Sequence, residues 1–271
     1  MTHVVTVKVH GMQTPDMVDE AAHAWLEGVA AIAGAVPGGL RAQAQPGLAL
    51  LATGAPLASV NGVFDVRSAP RRELVGDLAA RAAEEIGRFG VPWCIQVRTG
   101  PDTEIAEIAA AHGLAKVTRT PLMVRGLDGP GATLDGSLPA AFVVRQLGPG
   151  DSAEFAAALA AGFEAPAQVM NRLGSAEILA LPGATGYLAE ADGAVVATGL
   201  ALRAGGCVGI FNISVPPERR RQGYGAAVTS AILAAARERG ARLAFLHSSA
   251  MGRSVYEYLG FRTVEEWTRY T

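Results

Sequence analysis

Residues 210–227 read IFNISVPPERRRQGYGAA. Ile210–Val215 has the apolar character of a buried strand and stops at Pro216-Pro217. Three arginines follow, then Gly223-Tyr224-Gly225-Ala226, then an alanine-rich run of helical character. Strand, glycine loop and helix start in that order make an anion site. The first backbone N–H groups of a helix have no intrahelical partner, and the helix dipole adds partial positive charge. Glycines let a phosphate come close to the backbone. Two other phosphate loops do not fit. A Walker loop needs G-x-x-x-x-G-K-[ST], and no lysine follows these glycines. A dinucleotide-binding fingerprint needs a third glycine, where this chain has Val228. The alternative is a plain glycine turn between a strand and a helix.

Downstream, Ala241–Leu246 reads as a short buried strand bounded by Gly240. His247-Ser248-Ser249 then leads through Met251-Gly252-Arg253-Ser254 into VYEYLGF, residues 255–261. Gly260 suits a left-handed helix cap, and Phe261 opens the next strand.

The spacing Arg220-x-x-Gly223-x-Gly225 and the ending Tyr256-x-x-Leu259-Gly260-Phe261 together resemble the GNAT family, the Gcn5-related N-acetyltransferases. The resemblance implies an α/β fold with a mixed, mostly antiparallel sheet flanked by helices. It implies acetyl-CoA as acyl donor and a primary amine, on a small molecule or a peptide, as acceptor. By the same likeness, Ile213, Ser214 and Val215 offer backbone to pantetheine. The N–H groups of Arg221, Gln222, Gly223, Tyr224, Gly225 and Ala226 hold the pyrophosphate. Arg220 and Arg221 add charge-assisted bonds to phosphate. Family members commonly carry a general acid five residues before the phenylalanine, which points to Tyr256. The residue type suits that role, since a tyrosine of pKa about 10 keeps its proton at neutral pH and donates it to a thiolate of pKa about 8.5. Tyr258, two residues on, points elsewhere on the helix. The chain departs from the family at Ser249, where many members have Asn, and at Gly252, where they often have Ala. Ser249 either bonds pantetheine or caps the helix.

An amine of pKa about 10.4 arrives protonated and needs a base. Glu164 in the GFEAP loop, His247 at a strand end, and Glu190 are the candidates, with Asn212 to orient a water. A non-catalytic acyl-CoA sensor is the rival function, and transfer of a longer acyl group or to an alcohol is a third. Hydrolase and metal motifs (G-x-S-x-G, H-E-x-x-H, C-x-x-C) do not occur, so no metal is expected.

The chain has 271 residues, half of them hydrophobic, with formal net charge −2. That balance argues against nucleic-acid binding, which needs clustered basic surface. Cys94 and Cys207 sit in apolar runs and read as buried free thiols. No leader-like apolar segment and no membrane-length apolar run is present, so a cytoplasmic protein, monomer or homodimer, without membrane contact is expected.

A Gly/Pro-rich stretch at Arg125–Pro139 divides the chain into residues 1–126 and 140–271, with 127–139 as linker. The second half predicts strand Ala141–Leu147, a helix from Asp151 to Gly162, and a further helical stretch after Pro166. Strands Gly186–Glu190, Val195–Arg203 and Val208–Val215 follow, the first two joined at Asp192-Gly193. Helix Gly225–Arg239, strand Arg242–His247, helix Gly252–Leu259 and a last strand complete it. The first half repeats the outline: strand His3–Val9, helix Pro15–Ala35, strands Leu48–Ala52 and Val60–Val66, helix Arg71–Phe89, strand Trp93–Val97, helix Asp102–His112 and strand Ala115–Val124. The interval from Val66 to Gly113 is 47 residues, and from Val215 to Gly260 it is 45. We read the first half as a degenerate second copy. Its loop, Arg71–Asp77, has no Gly-x-Gly and carries Glu73 and Asp77, and Ala109 stands where the second half has Tyr256.

Overall fold

A computed structural model describes residues 14–98, 100–128, 138–139 and 141–271. The expected strand His3–Val9 and most of the expected linker lie outside the described residues. In chain order the elements are α1 (Thr14–Ala35), β1 (Leu40–Gln45), β2 (Leu48–Ala52), β3 (Asn61–Asp65), α2 (Arg72–Gly87), β4 (Cys94–Val97), α3 (Thr103–Ala111) and β5 (Val117–Gly126). The second half supplies β6 (Val143–Leu147), α4 (Ser152–Phe163), α5 (Ala167–Leu173), α6 (Ala176–Leu179), β7 (Ala184–Ala191), β8 (Ala194–Ala204), β9 (Cys207–Ser214), α7 (Tyr224–Glu238), β10 (Leu243–His247), α8 (Arg253–Tyr258) and β11 (Arg262–Tyr270).

Local chemistry sets the ends of these elements. Asp102 caps α3 by accepting from the N–H groups of Glu104 and Ile105, at 2.9 and 3.1 Å. The Asp192-Gly193 turn has positive φ at both residues, 51° and 76°, and closes the β7–β8 hairpin. The two halves end their last helices alike. Gly113 (φ 76°) and Gly260 (φ 81°) take the left-handed position, and the next residue's N–H reaches back five residues, Leu114 to Ala109 and Phe261 to Tyr256, each 2.9 Å. Ala109 and Tyr256 therefore occupy the same structural position. β1, LRAQAQ, was not among the expected strands; it completes in the first half the three-strand run of β7, β8 and β9.

All strands join one 11-stranded mixed sheet in the order β1-β2-β3-β4-β11-β5-β10-β9-β8-β7-β6. β3–β4 and β9–β10 pair in parallel, and the other neighbours are antiparallel. The last strand of each half lies against the other half: β5 beside β10, and β11 beside β4. β5 continues through Gly126, so Arg125 and Gly126, which open the Gly/Pro-rich stretch, belong to the strand.

Strand residues alternate between the two faces. Ala244 and Leu246 face α7 and α8, whereas Leu243 and Phe245 face α1. On the first side α2 and α3 cover the β2–β4 end. On the second, α1 crosses β8, β9 and β10, and α4–α6 cover β7 and β8. Arg172 of α5 ties this layer to the first half by donating to the carbonyls of Thr53 and Pro37. Cys94 and Cys207 are buried free thiols, and burial pushes both up to about 12.

Candidate active site

The parallel pairs β3–β4 and β9–β10 differ at their carboxyl ends. In the first half pairing runs to the end, Asp65 opposite Val97, and the Arg98 N–H donates to the Asp65 carbonyl at 3.0 Å. In the second half pairing stops at Gly209 opposite Phe245, although β9 runs on to Ser214 and β10 to His247. Among the described residues, the β10 side of β9 from Ile210 onward has no strand partner. A β-bulge accompanies the splay. Thr198 pairs with Ser214 and Leu200 with Phe211, so Asn212 and Ile213 share Gly199. Asn212 carries a φ of 53°, held by the Thr198 hydroxyl donating to its carbonyl at 2.7 Å. Ser214 Oγ lies 2.7 Å from that hydroxyl.

The chain then turns through Pro217–Arg219, with Arg221 (φ 62°) and Gly223 (φ 84°) both left-handed, into α7. The first turn of α7 presents its N–H groups beside the splayed strand end. A Cβ at Gly225 would lie 3.6 Å from Val215 Cγ2 and 3.9 Å from Ile213 Cγ2. The expected cofactor-binding residues Ile213, Ser214, Val215, Arg221, Gln222, Gly223, Gly225 and Ala226 thus follow one continuous strand end, loop and helix start. Tyr224 opens α7. Its ring is buried and stacks on Phe142, centroids 5.8 Å apart and planes within 15°.

Tyr256 on α8 is 9% exposed, packs edge-on against Phe261 at 5.9 Å, and belongs to the same apolar cluster as Ile213, Val215 and Ala226. Burial pushes its pKa up to about 12, and its hydroxyl bonds to no described residue. Tyr258, 48% exposed, faces away. Gly252 makes room for the ring: a Cβ there would sit 3.0 Å from Tyr256 Cε2. Ser249 Oγ accepts from the Gly252 N–H at 3.1 Å, so in this structure it caps the turn into α8.

The expected bases fare differently. His247 points to the opposite face from Leu246, into an aromatic box with Trp25 (5.0 Å) and Trp267 (4.6 Å). Its Nε2 is sealed without a partner, and burial, aided by Arg269, lowers its pKa to about 3. A base that weak is poorly matched to an amine at neutral pH, which corrects the sequence expectation. Glu190 is engaged by Arg145 Nε at 2.6 Å, in a cluster with Asp151 and Glu154. Glu164, 61% exposed, ends α4 in the left-handed conformation (φ 52°) and pairs with Arg220 Nη2 at 2.8 Å. Arg220 also donates to the Val215 carbonyl (3.1 Å) and the Gly162 carbonyl (3.2 Å), so its head is turned into the protein. The Thr198–Ser214 link that props the bulge was not anticipated, because nothing in local spacing ties those positions.

His247 makes a testable contribution to acid stability. The unfolded imidazole takes a proton near pH 6.5, the folded one only near 3, so between these values the unfolded state binds more protons and stability falls as pH drops. Allowing for the ring's residual solvent contact, the loss between pH 6.5 and 4.5 is about 2 kcal/mol. Urea midpoints at the two pH values should show His247→Phe losing less than wild type. An equal loss in both would mean that His247 is not the source.

Comparison with known proteins agrees with this geometry. Residues 182–263 match the family model of the acetyltransferase (GNAT) domain. No match to a curated protein sequence was found. A GCN5-related N-acetyltransferase from Kribbella flavida superposes with TM-score 0.64 at 19% identity, over 93% of this chain and 94% of the other. A functionally unknown conserved protein from Staphylococcus epidermidis gives 0.58 at 11% identity, over 85% and 92%. A GCN5-related N-acetyltransferase from Sphaerobacter thermophilus gives 0.54 at 20% identity, over 72% and 66%. Among the described residues no helix is long and apolar enough to cross a membrane. The splayed strands, the glycine loop and the match to the acetyltransferase (GNAT) domain coincide in the second half of the chain, and the fold of the whole is similar to that of GCN5-related N-acetyltransferases.

Proposed function

We propose that the second half is an acetyl-CoA-dependent N-acetyltransferase site acting on a primary amine, and that the first half is a degenerate copy with no cofactor site. The contrast between the two parallel strand pairs carries this reading. β9 and β10 part beside Gly223-x-Gly225 and Tyr256, while β3 and β4 stay zipped beside a glycine-poor loop and Ala109. The first half's role is then structural: it supplies β5 as the neighbour of β10, and α1 over β8–β10.

Acetyl-CoA supplies a thioester whose carbonyl is open to an amine. Backbone groups of Ile213 and Val215 face the gap where pantetheine would lie, and the N–H groups of residues 221–226 face its pyrophosphate. The buried Tyr256 hydroxyl keeps its proton throughout the neutral range and gives it to the leaving sulfur. Glu164 is the carboxylate available at the acceptor side, acting directly or through water, and must first loosen its pair with Arg220. The acceptor is a small-molecule or peptide amine.

Tyr256→Phe tests the assignment. Removing the acid should lower kcat about a hundredfold in an amine screen read by thiol release, while acetyl-CoA affinity changes little. Unchanged turnover would remove Tyr256 from the mechanism. Tight binding without turnover in wild type would instead favour a non-catalytic acyl-CoA sensor.

A further inference from the structure

We propose that Arg220 is a positioning residue that locks the loop leaving α4 onto the glycine loop, so that the acceptor and cofactor sides of the cleft are set together. The inference rests on the acetyltransferase reading above. Three segments meet at one guanidinium. Nε donates to the Val215 carbonyl at the end of β9, and Nη2 donates both to the Gly162 carbonyl and to Glu164 Oε2. Both carbonyls lack regular partners. Gly162 lies in the last turn of α4, where carbonyls go unsatisfied, and Val215 is past the point where β9 parts from β10. The segments are also in direct contact, since a Cβ on Gly162 would fall 2.2 Å from Ser214 Oγ.

A planar guanidinium serves several acceptors in fixed directions, which a lysine does not. The carboxylate of Glu164 is largely exposed, so its ion pair alone adds little, and the two carbonyl bonds carry most of the lock. An arginine at this motif position reads as a phosphate ligand from sequence. Here its inward bonds give it a different role. They fix where the α4–α5 loop, with Phe163 and Glu164, sits relative to the N–H groups of residues 221–226.

Two probes separate the roles: acetyl-CoA, and S-acetylpantetheine, which keeps the thioester but has no pyrophosphate. With Arg220→Ala, binding of both probes should weaken by a similar factor, about tenfold. Amide hydrogen exchange in the unliganded protein should accelerate over residues 162–166 and 216–223, while amides of β8 keep their protection. Arg220→Lys should behave like the alanine variant, and Glu164→Gln should change binding only about two- to threefold. Loss confined to acetyl-CoA, with exchange at 162–166 unchanged, would make Arg220 a phosphate ligand and overturn the proposal. Faster exchange throughout β8 would overturn it as well, marking a general loss of stability. If wild type binds neither probe, the acetyltransferase reading fails, and the exchange pattern still decides whether the lock exists.

Discussion

Trp267→Ala should destabilise the whole protein by about 3–5 kcal/mol, in a single unfolding transition that takes both halves together. Trp267 is 1% exposed on β11, the strand that ends the chain yet lies in the middle of the sheet, between β4 and β5. Its indole meets Trp25 of α1 edge-on at 5.1 Å and His247 of β10 at 4.6 Å. Its Nε1 donates to Glu265 Oε2 at 3.0 Å. Glu265 receives the buried Arg98 at 2.7 and 2.9 Å, and Arg98 pairs with Asp19 of α1. Removing the ring therefore opens a cavity among α1, β10 and β11 and takes one donor from a carboxylate that holds a buried arginine. Against a typical total stability of about 5–15 kcal/mol, that is a large fraction. Urea unfolding followed by both fluorescence and circular dichroism checks it. Two separated transitions, with the second half surviving, would show that the halves fold independently. For the same reason residues 140–271 expressed alone should not give a stable monomer, because β10 and β11 would both lose β5.

Gly223→Glu should abolish measurable acetyl-CoA binding, a loss of about a hundredfold or more, while the protein stays folded. Gly223 has φ 84°, which costs an L-residue about 1–2 kcal/mol. Among the described residues a Cβ there meets only Leu138 Cδ2 within 4 Å, at 3.9 Å, so a side chain projects without a clash against them. A glutamate at the start of α7 is itself favoured by the helix dipole, which protects the fold. Its carboxylate occupies the N–H groups that the pyrophosphate needs and repels the phosphates. Gly223→Ala, with the backbone strain but no charge, should bind acetyl-CoA within about tenfold of wild type. Equal losses in the two variants, measured by calorimetry on folded protein, would assign the effect to backbone geometry instead of charge.

The parts legible in the sequence were those fixed by local chemistry. The glycine loop and the left-handed cap at Gly260 need only a few neighbouring residues to be recognised. Three things were hidden because they depend on distant partners. The exchange of β5 and β11 cannot be read from VTRTPLMVRG and RTVEEWTRY, since each strand's pattern fits a neighbour from either half. The fate of His247 depends on Trp25 and Trp267, which burial brings to it from both ends of the chain. Arg220 reads as a phosphate ligand until the carbonyls of Gly162 and Val215 are placed beside it. β1 was missed for a milder reason: LRAQAQ alternates, but it is short, polar and at the sheet edge.

Calorimetric titration of acetyl-CoA into the intact chain tests the central claim most directly. Opening of β9–β10 and closure of β3–β4 predict one site per chain. Two sites would restore a cofactor role to the first half, and no binding would contradict the acetyl-CoA-dependent reading of the splayed strands and glycine loop.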